Sequence, residues 1–241
     1  MKIHIYSLIM FLNSYLTGLL TPILSLTLID KGASLSNLSI ILGLYALSVI
    51  LLELPTGVMA DIFGRKKIFV LSLIIFTVCF SLLLTSSGFI VLCIVMMLYG
   101  LAKALASGSF DALFIDYYID NFGKDKLHNI TTRLSVLEAL GLSAGALSGG
   151  FFPEISAKFF SSIGIYDLNI IVRIVLTVTL IILSVLFISD ISDADKAEKK
   201  QRISIKQHIK NSSDFVFKNS TVLCIFLSVF STGFFLSALE T

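Results

Sequence analysis

Charged side chains stand inside runs of apolar residues that are long enough to cross a lipid bilayer. Lys103 lies fourteen residues into the run that begins at Phe89, and Glu138 lies eight residues into the run that begins at Ile130. A charge at the centre of a bilayer costs roughly 2.5–3.5 kcal/mol on insertion scales, so such residues are candidates for function. A carboxylate that loses its cationic partner in a low dielectric takes up a proton, and this pair therefore has the chemistry of a proton carrier.

The two side chains are predicted to lie at nearly the same depth. At about 1.5 Å per helical residue, Lys103 lies roughly 21 Å from one surface and Glu138 roughly 12 Å from the other, in a hydrocarbon core of about 30 Å. Asn13, eight residues after Ile5, reaches a similar level. We expect Lys103 and Glu138 to form an ion pair between two helices. The pair either fixes helix packing only, or carries a proton and contacts an anionic or polar substrate.

A short polar stretch, Glu53–Lys67, separates two of the apolar runs. Glycine permits a tight turn and a close backbone approach. An aspartate can bond free helix amides or face the positive end of a helix, and a cluster of lysine and arginine is typical of a cytoplasmic loop. Five residues carry these features: Gly57, Asp61, Gly64, Arg65 and Lys66. Counted from Gly57, they stand at offsets 0, 4, 7, 8 and 9.

This stretch resembles the signature loop between the second and third helices of the major facilitator superfamily of secondary transporters, whose pattern is Gly-x-Leu-x-Asp-Arg-x-Gly-Arg-Lys. The five residues just named match the pattern, whereas Met59 and Ile62 replace the usual leucine and arginine. The preceding Glu53–Thr56 resembles bacterial members that are assigned to drug efflux. The resemblance implies an all-α membrane bundle, namely the six-helix N-terminal half of that fold with its 3+3 inverted repeat, plus one further span.

Composition supports a polytopic membrane protein. Of 241 residues 56% are hydrophobic, and the mean hydropathy is +0.96, which is more than a soluble core of this size requires. The net charge of +2 gives no reason to expect nucleic acid as a partner. No catalytic triad, metal-binding cluster or phosphate-binding loop is visible in the sequence, so we expect neither an enzyme nor a bound cofactor or metal.

Seven apolar runs organise the chain. The predicted domains are a six-helix bundle over residues 1–188, a cytoplasmic linker over 189–220, and a seventh span over 221–241. The first run contains Asn13, Gly18 and Pro22 and is predicted to be kinked. The linker is either a solvated connector or an amphipathic helix on the membrane surface.

The distribution of lysine and arginine predicts the orientation. With the N-terminus inside, the cytoplasmic segments hold fourteen of these residues, and the external segments hold only Lys31, Lys158 and Arg173. We therefore expect a multi-pass protein of the plasma (inner) membrane of a bacterium, with a cytoplasmic N-terminus.

Two later segments extend the resemblance. Members of the family often end the fourth helix with an acidic residue that pairs with the arginine of the signature loop. This implies a charge clasp between Arg65 and Asp116, with Asp111 as the second choice; the alternative is an ordinary solvated helix end. Family members often begin this segment with an arginine, and Met96 stands at the matching position.

Small residues recur along the fifth run at Gly141, Gly145, Gly149 and Gly150. Glycines at four-residue spacing line one helix face and allow another helix to approach closely. The segment resembles the antiporter motif Gly-x-x-x-Gly-Pro-x-x-Gly-Gly, with Ala146 at the position of the proline. Glu53 and Pro55 either end the second helix, which we favour, or face the cleft between helices.

The resemblance implies a secondary transporter that exports drug-like amphipathic molecules in exchange for protons, with the proton gradient as its driving force. A second interpretation is uptake of a sugar or other metabolite. A third is a truncated or split half-transporter without activity of its own. The expected partners are membrane lipids, a small-molecule substrate and a missing C-terminal half.

Overall fold

The computed structural model describes residues 2–123, 127–160 and 163–188, together with residues 220, 224 and 228. All the regular elements in these ranges are helices, which confirms the predicted fold class. In chain order they are α1 (Lys2–Leu20), a 3-10 turn (Thr21–Ile23), α2 (Leu24–Asp30), α3 (Leu35–Phe63), α4 (Arg65–Thr85), α5 (Phe89–Phe122), α6 (Leu127–Phe159) and α7 (Asp167–Phe187).

Six spans in the described residues are long and apolar enough to cross a membrane, and the first of them combines α1, the 3-10 turn and α2. The chain is thus a multi-pass membrane protein. The spans belong to one compact unit, Met1–Asp193, and Ala194–Thr241 forms a second unit. The predicted linker over 189–220 and the predicted seventh span over 221–241 lie outside the described residues, except for residues 220, 224 and 228, which are helical.

The first span is broken where the sequence predicts a kink. Pro22 lies in the 3-10 turn Thr21–Ile23, which separates α1 from α2. Proline has no amide hydrogen to donate to the preceding turn, so an α-helix cannot pass through it without losing a hydrogen bond. The break leaves α2 as a short separate segment that ends at Asp30, next to the turn at Lys31 and Gly32.

Two other prolines lie inside helices that continue past them. Pro55 lies inside α3, which continues to Phe63, so the helix-end interpretation of Glu53 and Pro55 is wrong. Pro153 likewise lies inside α6, which continues to Phe159. Proline is tolerated in a membrane helix when a neighbouring group bonds the carbonyl that it leaves without a donor.

The neighbouring group at Pro153 comes from α7. The carbonyl four residues before this proline belongs to Gly149, and it accepts a hydrogen bond of 2.9 Å from the buried Asn169 amide. At Pro55 the carbonyl four residues earlier is that of Leu51, and the hydroxyl next to the proline does not bond it. Thr56 donates instead to the carbonyls of Leu52 in its own helix and Ala104 in α5, at 2.8 and 3.0 Å. A side chain in tertiary contact therefore replaces the missing donor at Pro153 only.

Helix packing follows the pattern expected of an inverted repeat. α1 packs mainly against α6, and α3 packs mainly against α5, while α4 lies against α5 and α7. If the first three spans match the last three, the contact of span one with span five is the counterpart of the contact of span four with span two. The buried residues of α4 recur every three or four positions along one face: Ile68, Phe69, Ser72, Leu73, Phe76, Cys79, Phe80 and Leu83.

Candidate functional site

A cleft of about 420 Å³ opens between α1, α5 and α6. It brings together the three residues that the sequence places at one depth, Asn13, Lys103 and Glu138. The rest of its polar lining consists of Ser14 and Thr17 of α1, Ser107 and Asp111 of α5, and Ser135 of α6. The cleft therefore combines charged groups with hydroxyls in the middle part of membrane-length helices, where a small polar or charged ligand can be bound.

Lys103 and Glu138 do not form the direct ion pair that the sequence predicted. The ion pairs found among the described residues join Lys31 with Asp167 and Arg65 with Asp61 and Asp116. The two side chains do not meet because α5 and α6 contact each other far less than α1 and α6 do. The two charges line an open cleft between their helices, and Glu138 is exposed there.

Asp111 belongs to this cleft and does not join the charge clasp for which it was the second choice. Lys103, Ser107 and Asp111 follow one another at four-residue steps along α5, so they share one helix face. The hydroxyl of Ser107 also donates to Glu53 Oε1 of α3 at 3.4 Å. The cleft thus holds two carboxyl groups and one ammonium group, with a third carboxyl group near its edge.

The signature loop forms a compact cluster of charges at the opposite end of α5 from Phe89. Arg65 Nη1 lies 2.6 Å from Asp116 Oδ2, and the same nitrogen donates to the carbonyl of Ala112 at 2.9 Å. Its second amino group lies 3.2 Å from Asp61 Oδ1. The structure thus contains the Arg65–Asp116 pair that the resemblance implied. Nearby, Lys66 Nζ donates to the carbonyl of Val185 at the end of α7, at 3.3 Å.

The two glycines of the loop have different structural roles. Gly64 separates α3 from α4 with a φ of +98°, a conformation that residues with a Cβ rarely adopt. Gly57 lies within α3, and a Cβ placed there would meet no atom within 4 Å. The expectation of a turn or close approach holds for Gly64 and is wrong for Gly57.

The glycine stripe of α6 packs directly on α1. A Cβ added to Gly145 would overlap the carbonyl oxygen of Tyr15, and one added to Gly141 or Gly149 would overlap the backbone of Phe11 or Leu19. Contact with the backbone leaves no room for a side chain to move aside, so these three positions require glycine. Gly150 differs, because it has nothing within 4 Å and does not take part in this packing.

Arg173 was counted among the external charges, yet its side chain is buried inside the bundle with only 3% of the residue exposed. Its guanidinium lies over the ring of Phe80 at 4.2 Å and near those of Tyr99 and Phe76 at 5.5 and 5.8 Å. It also donates to the carbonyl of Leu16 in α1. The described residues supply aromatic rings and a carbonyl, and no carboxylate, as its partners.

Lys31 and Asp167 form a second ion pair that the sequence did not reveal. Lys31 Nζ lies 2.7 Å from Asp167 Oδ1 and donates to the carbonyl of Leu84 at 3.3 Å. The other carboxylate oxygen of Asp167 accepts from the amide of Gly164 at 3.1 Å. These contacts tie the end of α2 to the end of α4 and the first turn of α7.

Of the residues that sequence reasoning missed, Asp111 had the clearest signal. Its spacing of eight from Lys103 places both on one helical face, so periodicity alone would have assigned it to the cleft. Arg173 lies six residues inside its helix, at a depth where a charge is unusual. No signal of this kind exists for Lys31 and Asp167, which are 136 residues apart.

Comparison with known proteins agrees with this architecture. The model of the family described as Major Facilitator Superfamily matches residues 6–241. The chain is similar to the Quinolone resistance protein NorA of Staphylococcus aureus strain Mu50, with 28% identity over 163 residues. It is also similar to the protein of the same name from strain MRSA252, with 26% identity over 141 residues.

These matches cover more of this chain than of its relatives. The first alignment spans 66% of this chain and 40% of the relative, and the second spans 58% and 35%. The chain thus spans less than half the length of the curated relatives it matches.

Proposed function

Since the chain belongs to the Major Facilitator Superfamily, we propose that it forms the N-terminal half of a secondary transporter that exports drug-like amphipathic molecules in exchange for protons. The observation that carries the proposal is the cleft at mid-membrane depth, in which Lys103, Asp111 and Glu138 stand together. The name of its relatives, which ties them to quinolone resistance, favours export over uptake of a sugar or metabolite.

The cleft supplies what coupling needs. A carboxylate next to an ammonium group stays ionised, and it binds a proton when that group turns away or is neutralised by a substrate. The open geometry around Glu138 leaves room for such an exchange, because its carboxylate is not held by Lys103 in a contact ion pair. Asn13, Ser14 and Ser135 add polar groups that can orient a small molecule.

We also propose that transport requires a second six-helix half, because alternating access moves two bundles around a shared central site. In this arrangement the N-terminus and the Arg65 loop lie in the cytoplasm, in agreement with the excess of lysine and arginine there. The membrane is the bacterial plasma membrane, and its lipids surround the apolar outer faces. The driving force is the proton gradient, without a bound cofactor.

Replacement of Glu138 by glutamine is expected to lower proton-coupled efflux by at least about tenfold, because the amide cannot exchange a proton. Replacement of Lys103 by methionine is expected to reduce efflux to a similar degree and to shift its pH dependence, because Glu138 and Asp111 then lack their cation. The measurement is efflux and proton flux in everted membrane vesicles that contain the chain together with a second six-helix half, with a panel of substrates.

Glu154→Gln is the matched control, since Glu154 is an exposed carboxylate on the same helix but does not line the cleft. It is expected to leave both fluxes unchanged. Efflux and pH dependence like those of the parent protein in both cleft variants would contradict the proposed coupling role and leave packing as the function of these charges.

A further inference from the structure

Two ion pairs tie helix ends together at opposite ends of the six-span bundle. One joins Arg65 in the first turn of α4 to Asp116 near the end of α5. The other joins Asp167 in the first turn of α7 to Lys31 directly after α2. α3 begins next to Lys31 and ends next to Arg65, so its full length separates the two pairs.

The inverted repeat relates these pairs to each other. Under that symmetry the third span corresponds to the sixth, and the first span corresponds to the fourth. Arg65 begins the third span, and its partner lies near the end of the fourth. Asp167 begins the sixth span, and its partner lies at the end of the first. Each pair therefore joins corresponding helix ends, with the signs of the charges exchanged.

Close helix contacts follow the same symmetry. Gly18 of the first span lies against the backbone of Leu142 in the fifth span, and Gly100 of the fourth span lies against the backbone of Tyr45 in the second. Both glycines stand where an added Cβ would overlap a backbone oxygen. The correspondence therefore extends from the ion pairs at the two ends to the packing between them.

We propose that Lys31 and Asp167 are the counterpart of the Arg65–Asp116 clasp, so that the half-transporter carries one ion-pair latch at each membrane surface. The Lys31–Asp167 latch holds α2 against α7. When it is broken, the Lys31 end of the bundle opens, whereas loss of the Arg65 latch opens the other end. The use of the two latches in transport rests on the proposed function. The inference that each ion pair holds its helix ends together does not.

The surroundings of Lys31 suit this role. α2 is a short segment beyond the break at Pro22, so it can move with little change in α1. Besides its ion pair, Lys31 accepts a hydrogen bond of 3.0 Å from the amide of Gly88 through its carbonyl. One residue thus connects α2, the turn before α5, and α7.

Two features favour a strong ion pair between Lys31 and Asp167, namely the burial of both side chains and the position of each charge at its helix end. The side chains of Lys31 and Asp167 are 13% and 16% exposed, compared with 29% and 33% for Arg65 and Asp116. Asp167 also lies at the N-terminal end of its helix and Lys31 at the C-terminal end of another, where the helix dipoles favour these signs. The Lys31 latch is therefore expected to be the tighter of the two.

Two buried alanines allow each end to be followed separately. Ala33, 5% exposed, lies beside Lys31, and Ala60, 1% exposed, lies one turn before Gly64. Each is replaced by cysteine, one at a time, in full-chain protein whose three native cysteines have been changed to alanine. The rate of labelling by N-ethylmaleimide in native membranes then reports how often water reaches that end, and the reagent crosses membranes, so orientation does not matter.

We expect Lys31→Met to raise the labelling rate at position 33 by about tenfold, the change that about 1.4 kcal/mol of opening free energy produces, without raising the rate at position 60. Arg65→Met is expected to do the reverse. Lys31→Arg keeps the charge and should leave labelling at position 33 near its parental rate. Exchanging the charges, with Lys31→Asp and Asp167→Lys together, should restore much of the protection, although the helix dipoles then oppose the pair.

Equal labelling at position 33 in the parent and Lys31→Met proteins would overturn the inference, as would a charge exchange that labels as fast as Lys31→Met. Accelerated labelling at both positions in Lys31→Met would also overturn it, because that result indicates general unfolding. The labelling requires no transport. A protein that shows the two opposite responses but exports no substrate when a second six-helix half is present would therefore refute the proposed function alone.

Discussion

Replacement of Gly145 by valine is expected to prevent α1 and α6 from packing together, so that little protein reaches the folded state. The first atom of the new side chain would overlap the carbonyl oxygen of Tyr15, which belongs to the backbone and cannot rotate away. The contact is the most extensive between any two helices of the described bundle. Overpacking a core against movable side chains costs about 1–3 kcal/mol, and a backbone clash is expected to exceed that range.

The same separation of helices breaks a polar contact next to the glycine. Ser148 donates to the hydroxyl oxygen of Tyr15 at 2.8 Å, which links α6 to α1 within the membrane. The measurement is the fraction of detergent-extracted protein that elutes as a single species, together with its melting temperature. Ala146→Val at the neighbouring position provides a milder change for comparison of the same two quantities, since the structure already accommodates the Cβ of Ala146.

Gly150→Val is the matched control for this prediction. Gly150 lies in the same helix and the same glycine-rich segment, yet nothing lies within 4 Å of an added Cβ. We expect near-parental yield and melting temperature, because valine is well tolerated on a lipid-facing helix surface. Equal loss of folded protein in both variants would mean that helix propensity, and not the contact with α1, explains the glycines.

Substitution of Phe80 by leucine is expected to destabilise the protein by about 2 kcal/mol or more, because it removes the aromatic face closest to a desolvated guanidinium. The ring lies 4.2 Å from Arg173, which the described residues provide with no carboxylate. The loss should be clearly smaller when Arg173 is first replaced by methionine, since the packing cost of the buried ring then remains but the contact with the cation is absent. The coupling between the two residues is thus the predicted quantity.

A double-mutant cycle of the free energy of unfolding in detergent measures this coupling. Phe76→Leu serves as the control, because Phe76 belongs to the same helix but lies 5.8 Å from the guanidinium. Its coupling to Arg173 should be clearly smaller. If Phe80 and Arg173 contribute additively, the Phe80 ring only fills space and does not stabilise the cation.

Much of the fold follows from local sequence features. Apolar runs define the six spans, because a helix in hydrocarbon must be both long and apolar. The four-residue spacing of Gly141, Gly145 and Gly149 predicts one close-packed face, and the family resemblance of the Arg65 loop predicts its acidic partner on α5. These features depend on residues that are near one another in the chain or on a shared motif.

Other features depend on which helices meet in space. A proline ordinarily breaks a helix, yet α6 continues through Pro153, and Asn169 from another helix supplies the missing donor. Arg173 was counted on the external side because it lies near the start of an apolar run, and the rings that surround it come from α4 and α5. The expected Lys103–Glu138 contact was wrong because equal depth does not fix the distance between two helices.

The amide of Asn169 has a consequence for biogenesis. It bonds the carbonyl of Gly149 and, at 3.4 Å, that of Leu19, so it links the sixth span to both the fifth and the first. The Gly149 carbonyl loses its helical donor because Pro153 stands four residues later, and its donor comes from the sixth span. We therefore expect the fifth span to be fully hydrogen-bonded in the membrane only after the sixth span has been inserted.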